Sequence, residues 1–142
     1  MLLLISPMLI GCGNDKKQPV PSFPVSIDLN IVAEYPLFDP SFGTLQTMTF
    51  TEPRYPYEYV GYGGVLVVAA YDGEYHAFDL CCPHCLHRDS VVEVDGLYAI
   101  CPLCGEEYDI SYGLAVPTKG MSRFALRPFK TYKNGGHLII KN

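Results

Sequence analysis

No stretch of the chain keeps a 3.6-residue apolar period, which excludes a helical bundle or a helix-covered parallel sheet. Nor is there a basic patch. The 10 Lys and Arg and the 15 Asp and Glu are scattered, the net charge is -5, and nucleic acid is excluded as a partner. No apolar run reaches the roughly 20 residues that a membrane-spanning helix needs. A Ser-His-Asp set, a paired-carboxylate site and a phosphate loop are all missing. The expectation is therefore a protein that is not an enzyme, at most an electron-transfer component.

What is present points to strands. The 142 residues make one domain, and 49% of them are hydrophobic, enough for a core. Thirteen Gly and 12 Pro interrupt the chain often, and 11 Tyr add β-favouring surface. Val25, Ile27, Leu29 and Ile31 alternate with polar residues as a half-buried strand does. Tyr35–Phe42 and Glu52–Tyr57 are punctuated by proline and read as connections, with Thr44–Phe50 a strand between them. Val65–Ala70 is continuously apolar, the mark of a central strand. With Glu74–Leu80 it predicts a hairpin turning at Tyr71-Asp72-Gly73. Val91–Val94 and Leu97–Ile100 flank Asp95-Gly96 as a second hairpin; Phe124–Tyr132 and His137–Lys141 flank Asn134-Gly135-Gly136 as a third. The predicted fold is all-β, a small antiparallel sandwich or barrel.

The N-terminus stands apart. Met1–Ile10 is apolar and uncharged, too short to span a bilayer but suited to the core of a secretory signal. It runs into Leu9-Ile10-Gly11-Cys12, which resembles the bacterial lipobox. That resemblance implies removal of residues 1–11, a diacylglyceryl group on the Cys12 sulfur, and a lipid-anchored location on the periplasmic or surface side of a bacterial envelope. The absence of Lys or Arg before the apolar run departs from the pattern and points to a start upstream of Met1. Residues 12–24, polar and then proline-rich, read as a tether holding a domain of residues 25–142 off the membrane.

Five of the six cysteines fall at two hairpin tips, Cys81-Cys82-Pro83-His84-Cys85 and Cys101-Pro102-Leu103-Cys104-Gly105. A Cys-x-x-Cys turn aims two thiolates at one point, and two facing turns close a four-sulfur site. The 15 residues between Cys85 and Cys101 suit a two-knuckle zinc or iron site built from Cys82, Cys85, Cys101 and Cys104. In an exported protein the same thiols form disulfides as the alternative. Cys81 reads as a spare thiol, His76 and His137 as surface or structural residues, and Tyr108-Asp109 as strand packing. His87, near the first tip, is a candidate hydrogen-bond donor to the site.

The same region resembles the Rieske iron-sulfur family. Cys82-x-His84, a gap of 16 residues, then Cys101-Pro102-x-Cys104-Gly105-x-x-Tyr108-Asp109 is similar to that family's Cys-x-His and Cys-Pro-x-His-Gly-x-x-Phe-Asp pair. The similarity extends through Gly113, Pro117 and the last two strands. It implies a Rieske-like fold with two ligand loops and a [2Fe-2S] cluster. Cys82 and Cys101 would hold one iron, and His84 and Cys104 the other. It implies electron transfer to a redox or envelope partner. Cys104 stands where the family has its second histidine, and the extra thiolate implies a lowered potential. Spacing and resemblance thus part at the fourth ligand. The cluster takes His84; a single Zn2+ or Fe takes Cys85.

Overall fold

Val65–Ala70 is apolar at every position because both of its faces are covered. Val65, Val67 and Ala69 point into one buried cluster, with Ile27, Leu29, Ala77, Phe129, Leu138 and Ile140. Leu66, Val68 and Ala70 point the opposite way into a second cluster, with Phe78, Leu80, Tyr108, Ile110 and Leu126. Alternation on one strand therefore builds two cores, and each large side chain buried there contributes roughly 1.5–3 kcal/mol. Cys82 and Cys101 belong to the second core.

The computed structural model describes residues 18–119 and 121–142. They form eleven strands and a 3-10 turn at Pro40–Phe42. The strands are β1 (Val25–Asn30), β2 (Gln46–Phe50), β3 (Tyr59–Val60), β4 (Val65–Ala69), β5 (Tyr75–Asp79), β6 (Glu93–Asp95), β7 (Tyr98–Ile100), β8 (Glu107–Asp109), β9 (Val116–Lys119), β10 (Pro128–Asn134) and β11 (His137–Lys141). Seven make a barrel-like sheet in the order β2-β4-β5-β10-β11-β1-β3, and β6-β7-β8-β9 make a smaller second sheet. All pairings are antiparallel, as the sequence predicts. No described helix is long and apolar enough to cross a membrane.

The three predicted hairpins form, with shifted ends. In the first, Ala69 pairs with Tyr75, and the Asp72 carboxylate accepts the Glu74 N–H at 3.0 Å. Gly73 takes φ +81° there, a conformation costly for residues with a Cβ. In the second, Asp95 pairs with Tyr98, so Gly96-Leu97 is the turn, and Val91 instead bridges back to Cys81. In the third, Asn134 pairs with His137 and the strand begins at Pro128 rather than at Phe124. Proline has no N–H for the ladder and is tolerated at a strand's first position.

The tether reading meets a difference over its described part. Gln18–Pro24 lies along the domain rather than standing away from it: Val20 is buried, Gln18 Nε2 donates to the Ala125 carbonyl at 2.9 Å, and Arg127 Nη1 donates to the Val20 carbonyl at 2.9 Å. A short proline-rich strip lacks apolar periodicity, yet one valine and two side-chain bonds to its flanks suffice to seat it. Cys12 and the lipobox-like stretch lie outside the described residues.

Candidate metal centre

Both cysteine turns are built alike. The first leaves β5 through Leu80 and Cys81, and Cys82 N–H donates to the Ser90 carbonyl at 2.8 Å. Pro83 follows with a fixed φ, and the Leu86 N–H closes the turn on the Cys82 carbonyl at 3.0 Å. The second leaves β7, with Cys101 N–H donating to the Glu106 carbonyl at 2.9 Å. Here Gly105 N–H closes on the Cys101 carbonyl at 2.8 Å. The closing residue is left-handed in both, φ +57° at Leu86 and φ +76° at Gly105. Glycine takes that conformation freely, whereas leucine does so at a cost of roughly 1–2 kcal/mol.

The two turns face each other. Cys82 Sγ lies 3.7 Å from Cys104 Sγ, and Cys85 Sγ lies 3.8 Å from Cys101 Sγ. All four sulfurs fall within 4.8 Å of one another. Sulfurs held tetrahedrally at roughly 2.3 Å from one metal have edges of about 3.8 Å, so this group is dimensioned for a metal ion. Cys82 and Cys101 are buried, Cys85 is half-buried and Cys104 is exposed, which sets the site at the rim of the second core. No disulfide joins the described cysteines. His84, the ligand that the Rieske resemblance implies, is exposed and lies outside the group. Residues i and i+3 of so tight a turn converge, which turns the residue at i+2 outward.

Cys85, Cys101 and Cys104 do not hold their protons equally. Burial, with the neighbouring Cys101 and Cys82, pushes the Cys85 thiol up to about 11. Burial and the three adjacent thiols also raise Cys104. At Cys101 burial pushes upward too, but the backbone N–H groups of Cys104 and Leu103 outweigh it and hold its thiol below the ordinary value. A metal must therefore displace at least the Cys85 and Cys104 protons between pH 6 and 8. Acid restores those protons, so affinity falls as pH falls, by at least about a hundredfold per pH unit. Competitive zinc titrations at pH 6, 7 and 8 measure this slope, and a tenfold or smaller change per unit contradicts it.

Two surrounding residues, Asp79 and Gly63, escape sequence reasoning, and a third, Tyr108, does more than it implies. Asp79, fully buried, accepts N–H bonds from Tyr62 at 2.8 Å, Gly63 at 2.9 Å and Cys81 at 2.8 Å. It thereby ties the glycine-rich loop before β4 to the root of the first cysteine turn. Its signal is an acidic residue at an inward position of a strand, two residues before a pair of cysteines. Gly63 packs on that root so closely that a Cβ there would sit 2.7 Å from the Cys81 nitrogen. Gly63→Ala is expected to cost about 2 kcal/mol, because backbone must move, and a thermal melt of the variant checks it. Tyr108 contributes more than packing: its hydroxyl reaches Cys82 Sγ at 3.5 Å.

The other candidates stay away from the sulfurs. His87 is exposed; its Nδ1 accepts the Asp89 N–H at 3.2 Å, and among the described residues its ring makes no hydrogen bond to a sulfur. Cys81 is buried, its sulfur 3.5 Å from the His87 carbonyl oxygen. His76 pairs with Asp72 at 2.7 Å, and His137 with Asp28 at 2.6 Å. Compared with protein-family models and with curated proteins, the chain matches none.

Proposed function

We propose that this domain binds one metal ion, zinc, through Cys82, Cys85, Cys101 and Cys104, and that the ion staples the two hairpin tips of a non-enzymatic binding module. The supporting observation is the sulfur geometry: four atoms within 4.8 Å, with cross-turn separations of 3.7 and 3.8 Å. A two-iron cluster carries its ligand pairs at opposite ends of a bridged rhomb, farther apart than one tetrahedron allows. Thiolate cages favour zinc over ferrous iron. The lipobox-like Leu9–Cys12 supports a lipid-anchored protein of the bacterial envelope, docking another envelope protein. A chain exported unfolded would acquire zinc after export more readily than a preassembled cluster.

One observation favours a second reading. Cys104 is exposed, which leaves the metal near solvent. A single iron in the same cage would carry electrons there, and a visible spectrum separates it from colourless zinc.

Substitution at the fourth ligand tests the proposal. Cys85→Ser is expected to lower metal affinity by at least about a hundredfold, while His84→Ala leaves it within about twofold. Isothermal titration with zinc measures both. The reverse pattern would restore the Cys82, His84, Cys101, Cys104 set and with it the cluster.

A further inference from the structure

We infer that oxidation of this site closes two disulfides across the turns, Cys82–Cys104 and Cys85–Cys101, and releases the metal as they form. The pairing depends on the one-metal reading only for what is released. Its own basis is the sulfur arrangement. Each named pair joins opposite turns, at 3.7 and 3.8 Å, and together they use all four sulfurs once. A disulfide needs about 2.05 Å between sulfurs. Side chains approaching from two separate loops can close that gap by rotation and a small shift of the loops. A bond between Cys82 and Cys85, or between Cys101 and Cys104, would have to be made inside a turn. Each turn is already fixed by proline and by a hydrogen bond, at 3.0 Å in the first and 2.8 Å in the second, to the carbonyl of its first cysteine.

Exposure sets the order of events. Cys104 is the exposed member of the group, so a peroxide meets its sulfur first. The Cys104 thiolate attacks one peroxide oxygen, the O–O bond breaks, and hydroxide leaves, giving a sulfenic acid at Cys104. Cys82 Sγ, the neighbour at 3.7 Å, then attacks the Cys104 sulfur and expels the second hydroxide. The metal is left with two sulfurs. A second peroxide repeats both steps at Cys85 and Cys101. Four thiolates and two hydrogen peroxides thus become two disulfides and four hydroxides, and the divalent ion leaves with its charge unchanged. Cys81 takes no part. Its sulfur lies against the Cys82 and His87 carbonyls, at 3.7 and 3.5 Å, and is buried.

Because the bonds cross between turns, they hold the two tips together after the metal has gone. Oxidised, metal-free protein is expected to melt about 5–10 °C above reduced, metal-free protein.

The test treats the full chain, loaded with one equivalent of zinc, with stepwise hydrogen peroxide. A zinc-binding dye follows release, and alkylation with peptide mapping identifies the linked cysteines. Expected are full release at two peroxides per chain, the pairs Cys82–Cys104 and Cys85–Cys101, and an alkylated Cys81, with the same pairs in Cys81→Ser. Links within either turn, any link to Cys81, or zinc retained after four thiols are consumed would overturn the inference while leaving the zinc reading intact. Cross-turn pairs in a chain that never held zinc would uphold the pairing and defeat the zinc reading instead.

Discussion

Cys101→Ser is expected to lose the metal and at least about 4 kcal/mol of stability, a fall in Tm of about 10 °C or more. Cys101 is buried in the second core, and its thiol is the one the backbone holds toward the thiolate form. A serine there offers a poor ligand and places a hydroxyl among apolar neighbours. The remaining Cys82, Cys85 and Cys104 then form an incomplete cage, and the two tips lose what joins them. Chelator should lower the wild-type Tm under reducing conditions to a similar value and should leave the variant unmoved. That pairing separates loss of metal from damage by the substitution itself. A variant melting within about 2 °C of wild type would show that the metal contributes little to the fold.

Asp79→Ala is expected to cost about 3–5 kcal/mol without touching a ligand. Its carboxylate is the acceptor for three backbone N–H groups, of Tyr62, Gly63 and Cys81, and truncation leaves all three short of a partner beside the core. The conservative change discriminates between charge and geometry. Oδ1 serves Gly63 and Cys81, while Oδ2 serves Tyr62. Asn can keep the two bonds to Oδ1 but presents an NH2 group to the Tyr62 N–H, so Asp79→Asn should cost about 1–3 kcal/mol. Urea melts of both variants measure the difference. Equal losses would mean that the carboxylate's charge, rather than its acceptors, holds the loop. Because Cys81 immediately precedes a ligand, zinc affinity should fall in the same order.

Period-two alternation made much of this fold legible. Val25, Ile27 and Leu29 turn inward as the sequence implies, and the unbroken run at Val65–Ala70 is buried on both faces. The Asp72-Gly73, Asp95-Gly96 and Gly135-Gly136 pairs mark real turns. The short strands β3 and β9, of two and four residues, display no period and went unseen. The four sulfurs were legible because each Cys-x-x-Cys turn is a local device. The choice between His84 and Cys85 was not, since resemblance and spacing named different residues; of the two, the structure brings Cys85 into the sulfur group. Asp79 was hidden for the opposite reason. Its partners Tyr62 and Gly63 lie on another loop, and nothing in either segment alone announces the other.

The most direct test is native mass spectrometry of the full chain, purified under reducing conditions without air and then loaded with zinc. The account predicts one zinc ion per chain, a colourless solution, and four thiols protected from alkylation until the metal is removed. A chain that carries two irons with two inorganic sulfides, or that takes up no metal while its four clustered thiols react freely, would contradict it.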